Sequence, residues 1–197
     1  MNLVSENGWR TRSTITAFAD EHLTVVTELV QTPAQVEPKT WTTVRRKPAV
    51  VIAPMTVDGK FVLVRQERIP IREFIWEMPA GQIDESEPND KQIAATAVRE
   101  LREETGYAPT ANAEITSLGH FFSSPGLTDE RAYFFLAHPV ELNESTREKE
   151  NAITDCRAFT TAELRDMIAA NEIRDANTLS ICARMAARGL LSLHPEK

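Results

Sequence analysis

Two apolar runs split by a tight-turn pair constrain the fold of this chain more than any other feature. Residues 49–55 read AVVIAPM, residues 60–66 read KFVLVRQ, and Asp58-Gly59 lies between them. β-Branched and aromatic side chains suit a pleated surface, and Asp-Gly supplies a position tolerant of positive φ, so the runs are expected to pair as strands. Thr56 and Val57 leave the loop length open, since they can extend either element.

A helix over residues 88–106 is the second constraint. Asn89 or Asp90 caps its start, Gly106 ends it, and Ile93, Ala94, Ala97, Val98 and Leu101 recur at helical spacing to give one apolar stripe for a sheet. Upstream, residues 23–30 and 41–46 predict a small N-terminal sheet, with a connector carrying Pro33 and Pro38 between them. Downstream, strands are expected at 114–122, 131–137 and 152–159, with a Ser-Ser-Pro-Gly turn at 123–126 and a charged loop at 141–151. Thr160 and Glu163 form a capping box for a helix running through Ala170, and 176–191 reads as the closing helix. This order predicts an α/β fold, a mixed sheet sandwiched by helices, rather than a regular doubly wound alternation.

A chain of 197 residues suits one main domain with a small appendage, here 1–47 as the N-terminal β domain and 48–197 as the main domain. Twenty-two Lys and Arg against twenty-nine Asp and Glu give a net charge of -7, which argues against a nucleic-acid partner. Cys156 and Cys182 lack zinc-like spacing and suit a reducing compartment. No apolar run approaches the roughly 20 residues that span a bilayer, and residues 1–10 lack a secretory pattern, so the expectation is a cytoplasmic protein with no membrane partner.

The chemistry concentrates at 99–106, Arg-Glu-Leu-Arg-Glu-Glu-Thr-Gly. On a helix, Glu100 and Glu104 lie about 40 degrees apart, with Glu103 further round the same side. Like charges at this spacing repel, increasingly so as water is excluded, and a divalent cation with its preference for oxygen ligands turns that repulsion into coordination. The bland reading is a charged face balanced by Arg99 and Arg102. In the Trp76-Glu77-Met78-Pro79-Ala80-Gly81 stretch, Pro79 and Gly81 suit a sharp turn that points a carbonyl such as Ala80's inward, or a turn of purely structural use.

The stretch 81–107, GQIDESEPNDKQIAATAVRELREETGY, resembles the Nudix box. Gly81 and Glu87 have its first spacing and 99–106 match its second half, while eleven residues separate Glu87 from Arg99, four more than in the family pattern. The resemblance implies a Nudix-type α/β/α sandwich with a mixed sheet, in which the Ala80 carbonyl, Glu100, Glu103 and Glu104 hold Mg2+, or Mn2+ in its place. It makes Arg99 the family's structural arginine and counts Arg99 and Glu103 with the catalytic residues. Residues 65–81, RQERIPIREFIWEMPAG, and 123–137, SSPGLTDERAYFFLA, are similar to the ADP-ribose and nucleoside diphosphate sugar pyrophosphatase branch, and 176–183 resembles its C-terminal helix. The likeness spans roughly 48–190, and the N-terminal strands resemble the small domain that this branch exchanges across a homodimer.

The implied activity is metal-dependent hydrolysis of the pyrophosphate bond of ADP-ribose or a related nucleoside diphosphate sugar, giving a nucleoside monophosphate and a sugar phosphate. A general base is sought among Glu144, Glu148 and Glu150 of the charged loop; the resemblance favours Glu150, with Glu148 next, against the reading of solvated surface carboxylates. Arg65 and Arg68, with Arg72 behind them, are candidates for phosphate or sugar contacts, or for structural ion pairs. Trp41 or Phe18 is expected to stack on the base where the N-terminal sheet closes a partner's site, or else to be a buried interface aromatic; Pro125 and Gly126 are expected to shape the opposite wall, and Asp129 and Glu130 to have mainly surface roles. The four histidines show no metal spacing, and Ser123 and Ser124 have no triad partners. GDP-mannose or ADP-glucose is the alternative substrate, and a noncatalytic nucleotide-binding regulator the alternative from another class.

Overall fold

The computed structural model of the protein describes residues 3–4, 8–84, 88–143 and 152–194. The chain divides into two compact units, Met1–Pro48 with Phe122–Arg131, and Ala49–Phe121 with Ala132–Lys197.

The first unit is an antiparallel sheet in the order β1 (Leu3–Val4), β2 (Arg10–Ala19), β3 (Leu23–Gln31), β4 (Lys39–Arg46). β3 and β4 are the two extended pieces expected from their β-branched residues. β2 carries almost no buried residue, and its ladder with β3 shifts register between Thr11 and Ser13 and again between Thr16 and Phe18. Asp20 closes the β2–β3 turn by accepting the N–H groups of His22 and Leu23 at 2.8 and 2.9 Å. Phe122–Arg131 joins this unit along β4: Val44 N–H donates to the Leu127 carbonyl at 2.8 Å, and Arg46 N–H to Asp129 Oδ1 at 3.1 Å. Glu130 pairs with the Arg46 guanidinium at 3.1 Å, so Asp129 and Glu130 anchor this segment.

The second unit carries a seven-stranded mixed sheet. Its path runs β11 (Ile153–Phe159), β6 (Phe61–Arg68), β5 (Ala49–Thr56), β10 (Arg131–Leu142), β9 (Tyr107–Phe122); β7 (Glu73–Glu77) pairs with β6 and β8 (Ala80–Gln82) with β5. β10 runs parallel to β5, which requires a crossover, and α1 (Asp90–Thr105) lies within that connection. The β5–β6 loop spans 57–60, with Gly59 at φ +78 and the Thr56 N–H donating to the Lys60 carbonyl at 2.9 Å.

Period-two alternation sorts the sheet's apolar residues onto two faces. Val51 and Ala53 of β5, Phe61 and Leu63 of β6, and Phe134 and Leu136 of β10 share a core with α2 (Thr161–Ala169) and α3 (Ala176–Ala187). Their neighbours Val50, Ile52, Val62, Phe135 and Ala137 pack instead with Ile93, Ala97 and Leu101 of α1. Burying each of the larger side chains, Val, Leu, Ile or Phe, is worth about 1.5–3 kcal/mol, which is why strands this continuously apolar sit between two helical layers.

Local chemistry sets the helix ends. Asn89 caps α1 through a reciprocal box with Gln92, and Gly106 ends it at φ 73 in the left-handed region. The Thr160–Glu163 box starts α2 as its sequence predicts. α3 stops at Ala187, short of Leu191, because Gly189 turns the chain at φ +69. β9 begins at Tyr107 and β10 continues to Leu142, both longer than their apolar patterns suggest. Among the described residues, no helix is long and apolar enough to cross a membrane.

Candidate active site

The apolar stripe of α1 decides where its glutamates go. With Ile93, Ala97 and Leu101 pressed on the sheet, Glu100 and Glu104 flank the stripe and are carried inward, leaving residue exposures of 9% and 6%. Facing them is the turn between β7 and β8. Ile52 N–H donates to the Pro79 carbonyl at 3.0 Å, and Ala80 lies opposite Val51 in the ladder. Successive residues of a strand turn their peptide groups to opposite edges, so the N–H and carbonyl of Ala80 face away from β5. That N–H donates to Glu104 Oε2 at 3.0 Å.

Gly81 explains how the helix comes so close. A Cβ at this position would lie 2.0 Å from the Glu100 carboxyl carbon, well inside any contact. The glycine is therefore a cradle for a carboxylate, beyond its use in the turn. Arg99 spans the same helix face, with Nη2 2.6 Å from Glu100 Oε1 and Nη1 2.6 Å from Glu103 Oε2.

Burial dominates the electrostatics. It raises Glu104 to about 8, against the lowering effect of the Ala80 N–H and with further upward push from the Glu100 charge. Glu100 is raised by burial too, with Arg99 opposing. For Arg99, burial alone acts downward, but the Glu100 and Glu103 carboxylates hold it above its ordinary value.

A second charged pair adjoins these groups. Arg68 at the end of β6 donates from Nε to Glu77 Oε1 at 2.8 Å and from Nη2 to Glu77 Oε2. Glu77 is 2% exposed, and its carboxyl is raised by burial, with Arg68 pulling it back. The β6–β7 hairpin sets Glu77 opposite Val64, on the face that Arg68 shares. Glu77 thus joins the site as a residue that sequence reasoning passed over, because only hairpin register reveals its partner.

The arrangement brings Ala80, Arg99, Glu100, Glu103 and Glu104 together, with Arg68 near Glu104. Arg65 does not join them: it lies three residues before Arg68 on β6, so the pleat sends it to the other face, where its guanidinium sits 5.8 Å from the Phe74 ring centroid. Arg72 occupies the turn at φ 56, its N–H donating to the Arg68 carbonyl at 2.8 Å. In the first unit, Trp41, Pro125 and Gly126 line one cavity of about 650 Å³ with Trp9, Glu28 and Phe122. The Trp41 indole N–H is held by the Gly126 carbonyl at 3.2 Å. Phe18 is exposed on β2 and is not among that cavity's lining residues. Glu87, Glu144, Glu148 and Glu150 lie outside the described residues.

Among the described residues, no three His, Cys, Asp or Glu side chains converge as a preformed metal group. Glu100 and Glu103 hold Arg99, and Glu104 holds the Ala80 N–H. The donors nevertheless have the right character: carboxylates beside a backbone carbonyl on an unpaired strand edge are hard oxygen ligands suited to Mg2+ or Mn2+, and the Gly81 cradle keeps one carboxylate against that edge.

Comparison with known proteins bears on the same residues. The NUDIX domain matches residues 45–180. A Bacillus subtilis protein named ADP-ribose pyrophosphatase is 34% identical over 136 residues, covering 68% of this chain and 70% of its own. A Bacillus methanolicus protein named methanol dehydrogenase activator is 33% identical over 137 residues, covering 69% and 70%. A crystal structure described as an ADP compounds hydrolase matches with a TM-score of 0.72 and 17% identity, over 92% of this chain and 96% of that one, a likeness of fold.

Proposed function

Because this chain belongs to the NUDIX domain family, we propose that it hydrolyses the pyrophosphate bond of a nucleoside diphosphate sugar, with ADP-ribose as the leading substrate. Water adds across the P–O–P bridge, giving AMP and ribose 5-phosphate. The observation that carries the reading is the cradle in which Gly81 lets Glu100 lie against the turn while Glu104 takes the Ala80 N–H. The name of the B. subtilis relative favours ADP-ribose within that class.

Members of the family generally depend on divalent metal. Here the Ala80 carbonyl, Glu100, Glu103 and Glu104 would hold Mg2+, with Mn2+ as its substitute; when bound, the ion neutralises the diphosphate and supplies Lewis-acid activation of the attacking water. Arg99 orients Glu100 and Glu103 as a pair. Arg68 spends Nε and Nη2 on Glu77, and Nη1 is the donor assigned to a phosphate oxygen. Glu150, with Glu148 as its rival, takes the proton from water. Trp41 stacks on the base, with Pro125 and Gly126 in the same cavity wall, and Arg65 is left to a structural role. The assembly is a homodimer formed through the N-terminal strands. The free thiols Cys156 and Cys182 favour the cytoplasm.

Product-resolved hydrolysis of ADP-ribose, ADP-glucose, GDP-mannose, UDP-glucose and nucleoside triphosphates, with Mg2+, Mn2+ or chelator, tests this. Metal-dependent release of AMP and ribose 5-phosphate in preference to the rest is expected. Preference for another sugar changes the pocket assignment alone, and no cleavage in any condition sinks the enzyme reading in favour of a nucleotide-binding regulator.

A further inference from the structure

The turn that carries Ala80 is held from a place far along the chain. Thr178, with no exposed surface, sits in the first turn of α3 and accepts the Met78 N–H at Oγ1 over 2.8 Å. Its own hydroxyl proton goes to Asp175 Oδ2 at 2.8 Å, and the same carboxylate oxygen caps the helix by accepting the Thr178 N–H at 2.7 Å. A hydroxyl has one proton to give. Because Asp175 takes it, the Thr178 oxygen is left to Met78 as an acceptor, and the relay has a fixed direction from Met78 N–H through Thr178 to the Asp175 carboxylate.

Three elements therefore grip three consecutive residues. α3 holds Met78 through Thr178, β5 holds the Pro79 carbonyl through Ile52, and α1 holds the Ala80 N–H through Glu104. The β5 and α1 contacts act on the edge or ligand they directly touch, whereas the α3 contact sets the entry angle of the turn from the opposite helical layer. Met78 and Thr178 are both buried, so no water substitutes readily for a lost acceptor, and an orphaned N–H there costs about 1–3 kcal/mol unless the backbone moves. Movement of that backbone displaces the Ala80 carbonyl.

We propose that Thr178, oriented by Asp175, is a positioning residue that fixes the Ala80 carbonyl against the α1 glutamates and so sets the affinity of the site for a divalent cation. The inference rests on the assignment of Ala80 and the glutamates as cation ligands. Partners hydrogen-bonded directly to a ligand commonly change metal affinity by about 10–100-fold when removed, and Thr178, acting on the backbone two residues before Ala80, belongs at the lower end of that range.

The probe is Mn2+ alone, its free fraction read by electron paramagnetic resonance in titrations of the full chain. Thr178→Val, nearly isosteric and without an acceptor, is expected to weaken Mn2+ binding by about tenfold, while Thr178→Ser stays within about threefold of the parent. Thermal melting of the same samples reports stability separately. A role confined to stability lowers the melting temperature of Thr178→Val and leaves the Mn2+ isotherm of the folded protein in place, which overturns the proposal. Where the valine chain does not fold, Thr178→Cys, whose thiol is a poor acceptor, is read against the serine variant on the same terms. Glu104→Gln is the control. If it loses Mn2+ binding while Thr178→Val retains it, the role of Thr178 falls and the site stands. If Glu104→Gln binds Mn2+ as the parent does, the ligand assignment falls and takes this inference with it.

Discussion

The glutamate face of α1 and the N-terminal sheet use their side chains in opposite ways. On α1 and its facing turn, charged groups are committed to partners, and the carboxylates of Glu77, Glu100 and Glu104 are buried: Arg99 pairs with two carboxylates, Arg68 with Glu77, and Glu104 with a backbone N–H. On the N-terminal sheet, large apolar side chains are exposed, with Trp9, Ile15, Phe18 and Trp41 each half or more in solvent. One region is preorganised, and its order is internal. The other presents exposed aromatic surface, with the Trp41 indole already held by the Gly126 carbonyl. The proposed function assigns chemistry to the first and choice of substrate to the second, a division that substitutions can break or sharpen.

The largest effect is expected from Glu104→Gln. The amide still accepts the Ala80 N–H but carries no charge, so metal-dependent hydrolysis should fall by about a thousandfold with the fold intact. Parent-like turnover at saturating Mg2+ would remove Glu104 from the centre.

Next comes the pH dependence of the chelated protein. Below the ordinary carboxylate value of 4.5, the folded and unfolded chains both hold the Glu104 proton; between there and about 8, only the folded chain does. Unfolding then releases a proton, so this contribution to stability is full below 4.5, declines as pH rises, and is gone above about 8. The loss should be on the order of 5 kcal/mol, seen in denaturant melts with chelator and flattened by Mg2+ or by Glu104→Gln. A flat profile in the chelated parent contradicts the burial argument.

Gly81→Ala forces its Cβ onto the Glu100 carboxyl, and the displaced pair should cost about 10–100-fold in kcat with a destabilisation of about 1–3 kcal/mol. An alanine variant with parental kcat would mean that the close approach serves no catalytic purpose. Trp41→Ala should leave kcat and melting nearly unchanged and raise KM for ADP-ribose about tenfold, since exposed stacking is worth about 0.5–1.5 kcal/mol beyond area burial. If kcat falls instead and KM holds, the division between the two regions fails.

What sequence discloses follows the range of the interaction. The Asn89 and Gly106 caps of α1, the Thr160–Glu163 box and the β5–β6 pair are local and were legible from neighbouring residues. β2 was not, because RTRSTITAFA has no apolar alternation and lies almost wholly exposed. The early start of β9 hides behind Ala108-Pro109-Thr110-Ala111-Asn112, which reads as a connector. Within the site, the glutamates at helical spacing were visible, whereas Glu77 needed hairpin register to find Arg68, and Thr178 meets Met78 across 100 positions. Arg65 and Arg68 looked equivalent until strand pleating separated them.

Arg99 gives this protein an internal counter-ion. By sitting 2.6 Å from both Glu100 and Glu103, it offsets part of their charge within the chain itself, without an ion from solution. A zinc finger, in contrast, is unfolded until its metal arrives. On the proposed reading the order of assembly is accordingly fold first and cation second, so that a divalent cation would come and go with the ionic composition around the protein while its architecture persists.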